Sequence, residues 1–121
     1  MKKILIVDDE EKVRKLVEVT LSVSDLEILH ASSGEEALKV AREAVPNIIL
    51  LDIMMPGQLD GFEVCRLLKN DPDTNRIYII MLTAKGQQAD KKKGLASGAD
   101  DYFVKPFSPM ELMEKIDKLV A

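Results

Sequence analysis

With 121 residues and a mass of 13.5 kDa, the chain is long enough for one domain with its own hydrophobic core, without help from disulfides or a structural metal. Its 46% hydrophobic and 31% charged residues exclude a disordered or fibrous chain, and the single cysteine excludes an internal disulfide. From its length we expect one domain over residues 1–121. A net charge of -4 argues against a basic nucleic-acid-binding face, so we expect no nucleic-acid contact by this chain.

The amino-terminal residues show no targeting or membrane signal. The first apolar run, residues 4–7, follows two lysines and is only four residues long, too short for a signal peptide or a transmembrane span. We therefore expect a cytoplasmic protein without membrane contact.

Five segments of strand length follow one another along the chain: residues 4–7, 26–30, 48–51, 77–82 and 101–104. The first, third and fourth are apolar without polar alternation, which is typical of strands buried on both faces of a sheet. The second and fifth are weaker, and one of them is a plausible edge strand.

Segments with helical periodicity lie between these strands. The first predicts one apolar helix face made of Val13, Leu16, Val17, Thr20 and Leu21. Ser33 and Ser108 each precede a glutamate by three residues, which is typical of a capping box, and Asp60 is a weaker start signal of the same kind. Gly98 suits a left-handed helix end.

This alternation of strand and helix predicts an α/β fold, a doubly wound (βα)5 domain with a five-stranded parallel sheet and helices on both faces. In such sheets, ligands bind beyond the carboxyl ends of the strands, at the point where the strand order reverses. Candidate functional residues should therefore be sought at that edge.

Polar residues follow four of the predicted strands at that edge: Asp8 and Asp9, Asp52, Thr83 and Lys105. Three carboxylates in one crevice repel one another unless a cation neutralises them, and oxygen ligands suit Mg2+. A carboxylate nucleophile, a metal, a lysine and a hydroxyl are the groups that phosphoryl transfer needs. The strand ends therefore predict a phosphoryl-transfer site.

Four segments at these positions, residues 7–9 (VDD), 51–56 (LDIMMP), 82–84 (LTA) and 104–107 (VKPF), resemble the signature segments of the receiver domain of response regulators, the CheY-like family of two-component signalling. The match covers essentially the whole chain, residues 1–121, in order. Residues 98–102 (GADDY) resemble the receivers of winged-helix transcription factors in particular. The resemblance implies a flavodoxin-like sheet with strand order 2-1-3-4-5.

The resemblance also implies the metal site and the phosphoacceptor. Asp52 would accept the phosphoryl group, and Mg2+, which Mn2+ could replace, would be held by Asp9, Asp52 and the backbone carbonyl of Met54. Asp8 would help to hold the metal directly or through a water molecule.

A switch and its partners follow from the same resemblance. Lys105 would pair with the phosphoryl group, Thr83 would hydrogen-bond it, and Tyr102 would swing inward. The change would alter the surface formed by the fourth helix, fifth strand and fifth helix. The implied partners are a histidine kinase or histidine phosphotransfer protein, a downstream effector, and a second copy in a phosphorylation-linked homodimer. The chain would then be a switch that catalyses only its own phosphorylation and dephosphorylation, and otherwise not an enzyme.

The chain departs from the family pattern in one loop. Three residues, 57–59, separate Pro56 from Asp60, where the family usually has two. The extra residue lengthens the loop beside the predicted metal, and loops absorb such insertions at small cost.

Other interpretations compete with this one. Asp8 and Asp9 could simply cap the first helix. A haloacid-dehalogenase-type phosphohydrolase also uses an aspartate nucleophile, but it requires Asp-x-Asp after its first strand, where this chain has Asp8, Asp9 and Glu10. A receiver-like interaction module that no longer accepts phosphate is the third alternative.

Overall fold

A computed structural model describes residues 2–22, 25–53, 55, 57, 59–84, 88–105 and 107–120. The strands are β1 (Lys2–Val7), β2 (Leu26–Ala31), β3 (Ile48–Asp52), β4 (Tyr78–Ala84) and β5 (Asp101–Lys105). The helices are α1 (Glu11–Leu21), α2 (Gly34–Ala44), α3 (Gly61–Lys69), α4 (Gln88–Ala96) and α5 (Pro109–Val120). All strand pairs are parallel and the order is β2-β1-β3-β4-β5, so the predicted fold is confirmed.

The three central strands are buried on both faces because their successive side chains enter two different hydrophobic clusters. In β1, Leu5 and Val7 enter the cluster that contains buried residues of α2 and α3, whereas Ile4 and Ile6 enter the cluster that contains those of α1 and α5. The same alternation continues along β3 and β4. Side chains on successive strand residues point to opposite faces, so a strand between two helical layers has to be apolar throughout.

The predicted helix start and stop signals are confirmed. The side chains of Ser33, Asp60 and Ser108 accept hydrogen bonds from the backbone N–H three residues later, at 3.2, 2.9 and 3.4 Å. Gly98 follows α4 with a φ of 104°, a left-handed conformation that glycine adopts without strain.

The predicted face of α1 is partly wrong. Val17 and Leu21 are fully buried, but Leu16 is 57% exposed. The buried stripe is centred on Val17 and Leu21, and Leu16 lies one residue, or about 100°, away from Val17 around the helix.

None of the helices in the described ranges is both long enough and apolar enough to cross a membrane.

Candidate functional site

The ends of β1, β3 and β5 bring three of the predicted site residues together. Lys105 Nζ lies 2.9 Å from Asp8 Oδ2 and 3.4 Å from Asp52 Oδ1. Both carboxylates are buried, with Asp8 0% and Asp52 6% exposed. Parallel strands end at the same edge of the sheet, so residues that are far apart in sequence form one charged cluster at the point where the strand order reverses.

Asp8 is hydrogen-bonded through both its carboxylate and its backbone. A buried carboxylate needs such partners because burial without them is costly. Its Oδ1 accepts a hydrogen bond from Glu10 N–H at 3.0 Å, and its Oδ2 accepts one from Lys105. Its backbone N–H donates to Ala31 at 3.2 Å, and its carbonyl accepts from Arg14 Nη1 at 2.6 Å. These bonds fix both the position and the orientation of the carboxylate.

Arg14 was not singled out from the sequence, although this residue of α1 donates a hydrogen bond to the Asp8 carbonyl. Its guanidinium is partly buried, and within the described part of the chain its Nε is buried without a hydrogen-bond partner. A basic residue at the fourth position of the helix that follows an acidic strand end was the available signal. Its place in the structure makes Arg14 a support for the turn between β1 and α1.

The acidic cluster after β1 contains one residue that the sequence analysis did not include. Carboxylate oxygens of Asp8, Asp9 and Glu10 lie within 4.8 Å of one another. Glu10 is the N-cap residue of α1 and its side chain makes no capping bond, so the helix does not use Asp8 or Asp9 as its N-cap. A set of carboxylate oxygens with two exposed members fits a hard cation such as Mg2+ or Mn2+.

The backbone of Asp52 is packed against the start of α3. A Cβ atom on Gly61 would lie 2.4 Å from the Asp52 carbonyl oxygen and 2.8 Å from Ile53 Cα. Gly61 N–H also donates to the Ile53 carbonyl at 3.0 Å. The start of α3 therefore fixes the position of the end of β3. Met54, whose carbonyl was predicted as a metal ligand, lies outside the described residues.

Two opposing effects act on the Lys105 ammonium. Burial lowers the pKa of Lys105, but the hydrogen bond to Asp8 and the negative charges of Asp52 and Asp8 outweigh burial and raise the pKa above its ordinary value of 10.5. Lys105 is therefore protonated at neutral pH and neutralises part of the charge of the carboxylate cluster.

Replacing Lys105 with methionine is expected to destabilise the metal-free protein by about 2 kcal/mol at neutral pH, because Asp8 would be left buried without its cation. The folded-state pKa of Lys105 is raised, so this contribution is fully present below the unfolded-state pKa and is lost as the pH rises through the folded-state pKa. Urea unfolding in a chelator should therefore show the difference at pH 7 and a smaller one above pH 10.5.

Lys115→Met is the matched control, since Lys115 forms an ion pair with Asp101 that is partly exposed to solvent. It should cost less than about 1 kcal/mol. Equal losses of unfolding free energy in the two variants would contradict the argument that the buried Lys105–Asp8 pair contributes more stability than a partly exposed pair.

The two predicted switch residues lie on the neighbouring strands β4 and β5, offset by two positions, because Tyr102 pairs with Met81 and not with Thr83. The Thr83 hydroxyl is buried and donates to the Phe103 carbonyl at 3.4 Å. Thr83 and half-buried Tyr102 line the same small pocket against Gly94 of α4. The structure thus places both next to the predicted switch surface, whereas their movement remains a prediction.

The fold defines a flavodoxin-like α/β protein, and comparison with known proteins identifies the family. The family model of the response regulator receiver domain matches residues 4–117. The chain belongs to this family, and it is a receiver domain of two-component signal transduction. Receiver domains generally bind Mg2+ at an acidic pocket, are generally not true enzymes, and work with histidine kinases and downstream effectors.

Relatives in sequence are transcriptional regulators. The chain is 50% identical over 114 residues to the probable transcriptional regulator ycf27 of Pyropia yezoensis, covering 94% of this chain and 45% of that protein. It is 46% identical over 119 residues to the alkaline phosphatase synthesis transcriptional regulatory protein PhoP of Bacillus subtilis, covering 98% and 48%. The chain therefore spans about half the length of these relatives.

Solved structures agree over the whole domain. A putative response regulator from Chloroflexus aurantiacus J-10-fl superposes with a TM-score of 0.92 at 36% identity, covering 98% of this chain and 97% of that one. Chemotaxis response regulator CheY4 of Vibrio cholerae gives 0.89 at 34% identity, covering 98% of both chains.

Proposed function

We propose that this chain, as one receiver domain over residues 1–121, is a phosphorylation switch that takes a phosphoryl group onto Asp52. The observation that carries the proposal is the buried cluster in which Lys105 lies within ion-pair distance of both Asp8 and Asp52. A lysine between two buried carboxylates at the ligand-binding edge of the sheet provides a nucleophile together with a fixed positive charge.

In the proposed reaction, one carboxylate oxygen of Asp52 attacks the phosphorus atom of a phosphohistidine. The new O–P bond forms as the N–P bond breaks, and the electron pair of the N–P bond leaves with the imidazole ring. The Lys105 ammonium would then pair with the phosphoryl oxygens, and the Thr83 hydroxyl would turn to hydrogen-bond one of them. The protein supplies position and charge, as is usual for phosphoryl transfer.

Asp8, Asp9 and Asp52, with the Met54 carbonyl, are the proposed ligands of Mg2+, and Glu10 lies close enough to Asp8 and Asp9 to take part. When bound, the cation would supply the positive charge that offsets the phosphoryl oxygens and the crowded carboxylates. The all-oxygen donor set supports Mg2+, with Mn2+ as a substitute.

The chain is proposed to act in the cytoplasm, with a histidine kinase or histidine phosphotransfer protein as donor and a downstream effector as receiver of the signal. Thr83 and Tyr102 would transmit the change to the surface formed by α4, β5 and α5, where a phosphorylation-linked homodimer could also form. Among the relatives, ycf27 and PhoP are described as transcriptional regulators, which supports an output in gene regulation.

The test is the intact mass of the wild-type chain after incubation with acetyl phosphate, with Mg2+ and with a chelator. We expect a gain of one phosphoryl group that requires the metal. If Mg2+ binds but no phosphoryl group is added, the proposal is wrong and the phosphate-independent interaction module becomes the better interpretation.

A further inference from the structure

Two adjacent glutamates at the start of α2 make different contacts. Glu36 works within its own helix end, since its Oε1 accepts a hydrogen bond from Ser32 N–H at 2.8 Å and its backbone N–H donates to Ser33 Oγ. Glu35 instead reaches across to the loop between β3 and α3, where its Oε1 accepts a hydrogen bond from Leu59 N–H at 3.2 Å. Only Glu36 is needed to cap the helix.

The loop approaches Glu35 closely at a second point. Gly57 has a φ of 103°, and a Cβ atom there would lie 3.3 Å from Glu35 Oε2. A third contact joins the same segments, because a Cβ atom on Gly34 would lie 2.6 Å from the Leu59 carbonyl oxygen. The start of α2 therefore lies close to both Gly57 and Leu59, and the Glu35 carboxylate contacts both residues.

The other end of this loop is already fixed beneath the phosphoacceptor, through the contact of Gly61 with Asp52 and Ile53. The loop contains the proposed metal ligand Met54 and is one residue longer than the family pattern. A longer loop loses more conformational freedom when it is ordered around a ligand, and a bond that orders it in advance removes part of that cost from binding.

We propose that Glu35 is a positioning residue that ties the β3–α3 loop to α2 and thereby strengthens Mg2+ binding at the Asp8, Asp9 and Asp52 site. This inference rests on the proposed function, because it assumes that the acidic cluster binds Mg2+. Glu35 itself does not touch the metal or the phosphoryl group; it acts through the backbone of Leu59 and the close approach of Gly57.

Three variants separate the hydrogen bond from the charge. Glu35→Ala removes both, while Glu35→Gln removes the charge and keeps an oxygen that can accept from Leu59 N–H. Glu36→Gln is the matched control, because it removes the same charge one residue away and preserves the capping box, in which glutamine works as well.

The measurement is the Mg2+ dissociation constant by titration calorimetry without a phosphodonor, together with amide hydrogen exchange at Leu59 by NMR. Glu35→Ala should weaken Mg2+ binding about two- to tenfold, the effect of losing one hydrogen bond to a charged group, and should speed exchange at Leu59. Glu35→Gln should restore both values to those of Glu36→Gln.

Unchanged Mg2+ affinity in Glu35→Ala would overturn the inference while leaving the proposed function intact. Equal weakening in Glu35→Ala and Glu35→Gln would also overturn it, since charge alone would then account for the loss. If the wild type binds no Mg2+, the proposed function fails first, and this inference fails with it.

Discussion

Replacing Asp52 with asparagine is expected to abolish phosphoryl transfer to this chain, with labelling by acetyl phosphate reduced by at least about a hundredfold. The amide is a poor nucleophile and carries no negative charge for the metal or for Lys105. The shape of the side chain is preserved, so loss of labelling would report chemistry and not folding. Intact mass spectrometry after incubation with Mg2+ and acetyl phosphate measures the effect directly.

Asp60→Asn is the matched control for this experiment. Asp60 is a carboxylate close to the same loop, but its Oδ1 caps α3 by accepting from Glu63 N–H, and asparagine caps a helix equally well. This variant should be labelled like the wild type. A phosphoryl group found on the Asp52→Asn protein would show that another residue is the acceptor.

The second large effect is expected from Gly61→Ala. A methyl group at this position would stand 2.4 Å from the Asp52 carbonyl oxygen, and its neighbours are backbone atoms that cannot rotate away. Either α3 or the end of β3 has to shift, so we expect a loss of about 2–4 kcal/mol in the free energy of unfolding, measured by urea denaturation. That loss is a large fraction of the stability of a domain of this size.

Gly94→Ala provides the comparison, because Gly94 is also buried and lies within a helix, α4. Its nearest neighbour would be Met81 Cγ at 3.5 Å, an ordinary contact, and alanine favours a helix over glycine by about 0.5–1 kcal/mol. We expect this variant to be as stable as the wild type or slightly more stable. Similar losses at both glycines would contradict the steric argument for Gly61.

The sequence predicted the strands and their order of appearance because hydrophobic pattern reports burial directly. The apolar run at residues 48–51 predicted a strand covered on both sides, and the structure has these residues buried on both faces. Leu16 shows the limit of the same reasoning: periodicity defines an apolar stripe, but the neighbouring elements decide where the core meets it, and Leu16 remains outside.

The candidate site was predictable to a similar extent. Asp8, Asp52 and Lys105 could be placed together because parallel strands share a carboxyl edge, and the structure brings them into contact. Glu35 could not be found in this way, since it acts through the backbone of another segment. Which carbonyl or N–H lies within reach depends on the three-dimensional path of the loops, which no spacing along the chain encodes.

Gly61 is packed tightly against the Asp52 backbone, so a displacement of Asp52 has little room to move toward the start of α3. The bonds toward the neighbouring strands are longer: Ile53 N–H meets the Leu82 carbonyl at 3.4 Å, and the Thr83 hydroxyl meets Phe103 at 3.4 Å. The close backbone contact at the start of α3 leaves less room for movement than these longer bonds do. We therefore expect a displacement at Asp52 to pass from β3 to β4 and from β4 to β5, at the edge of the sheet.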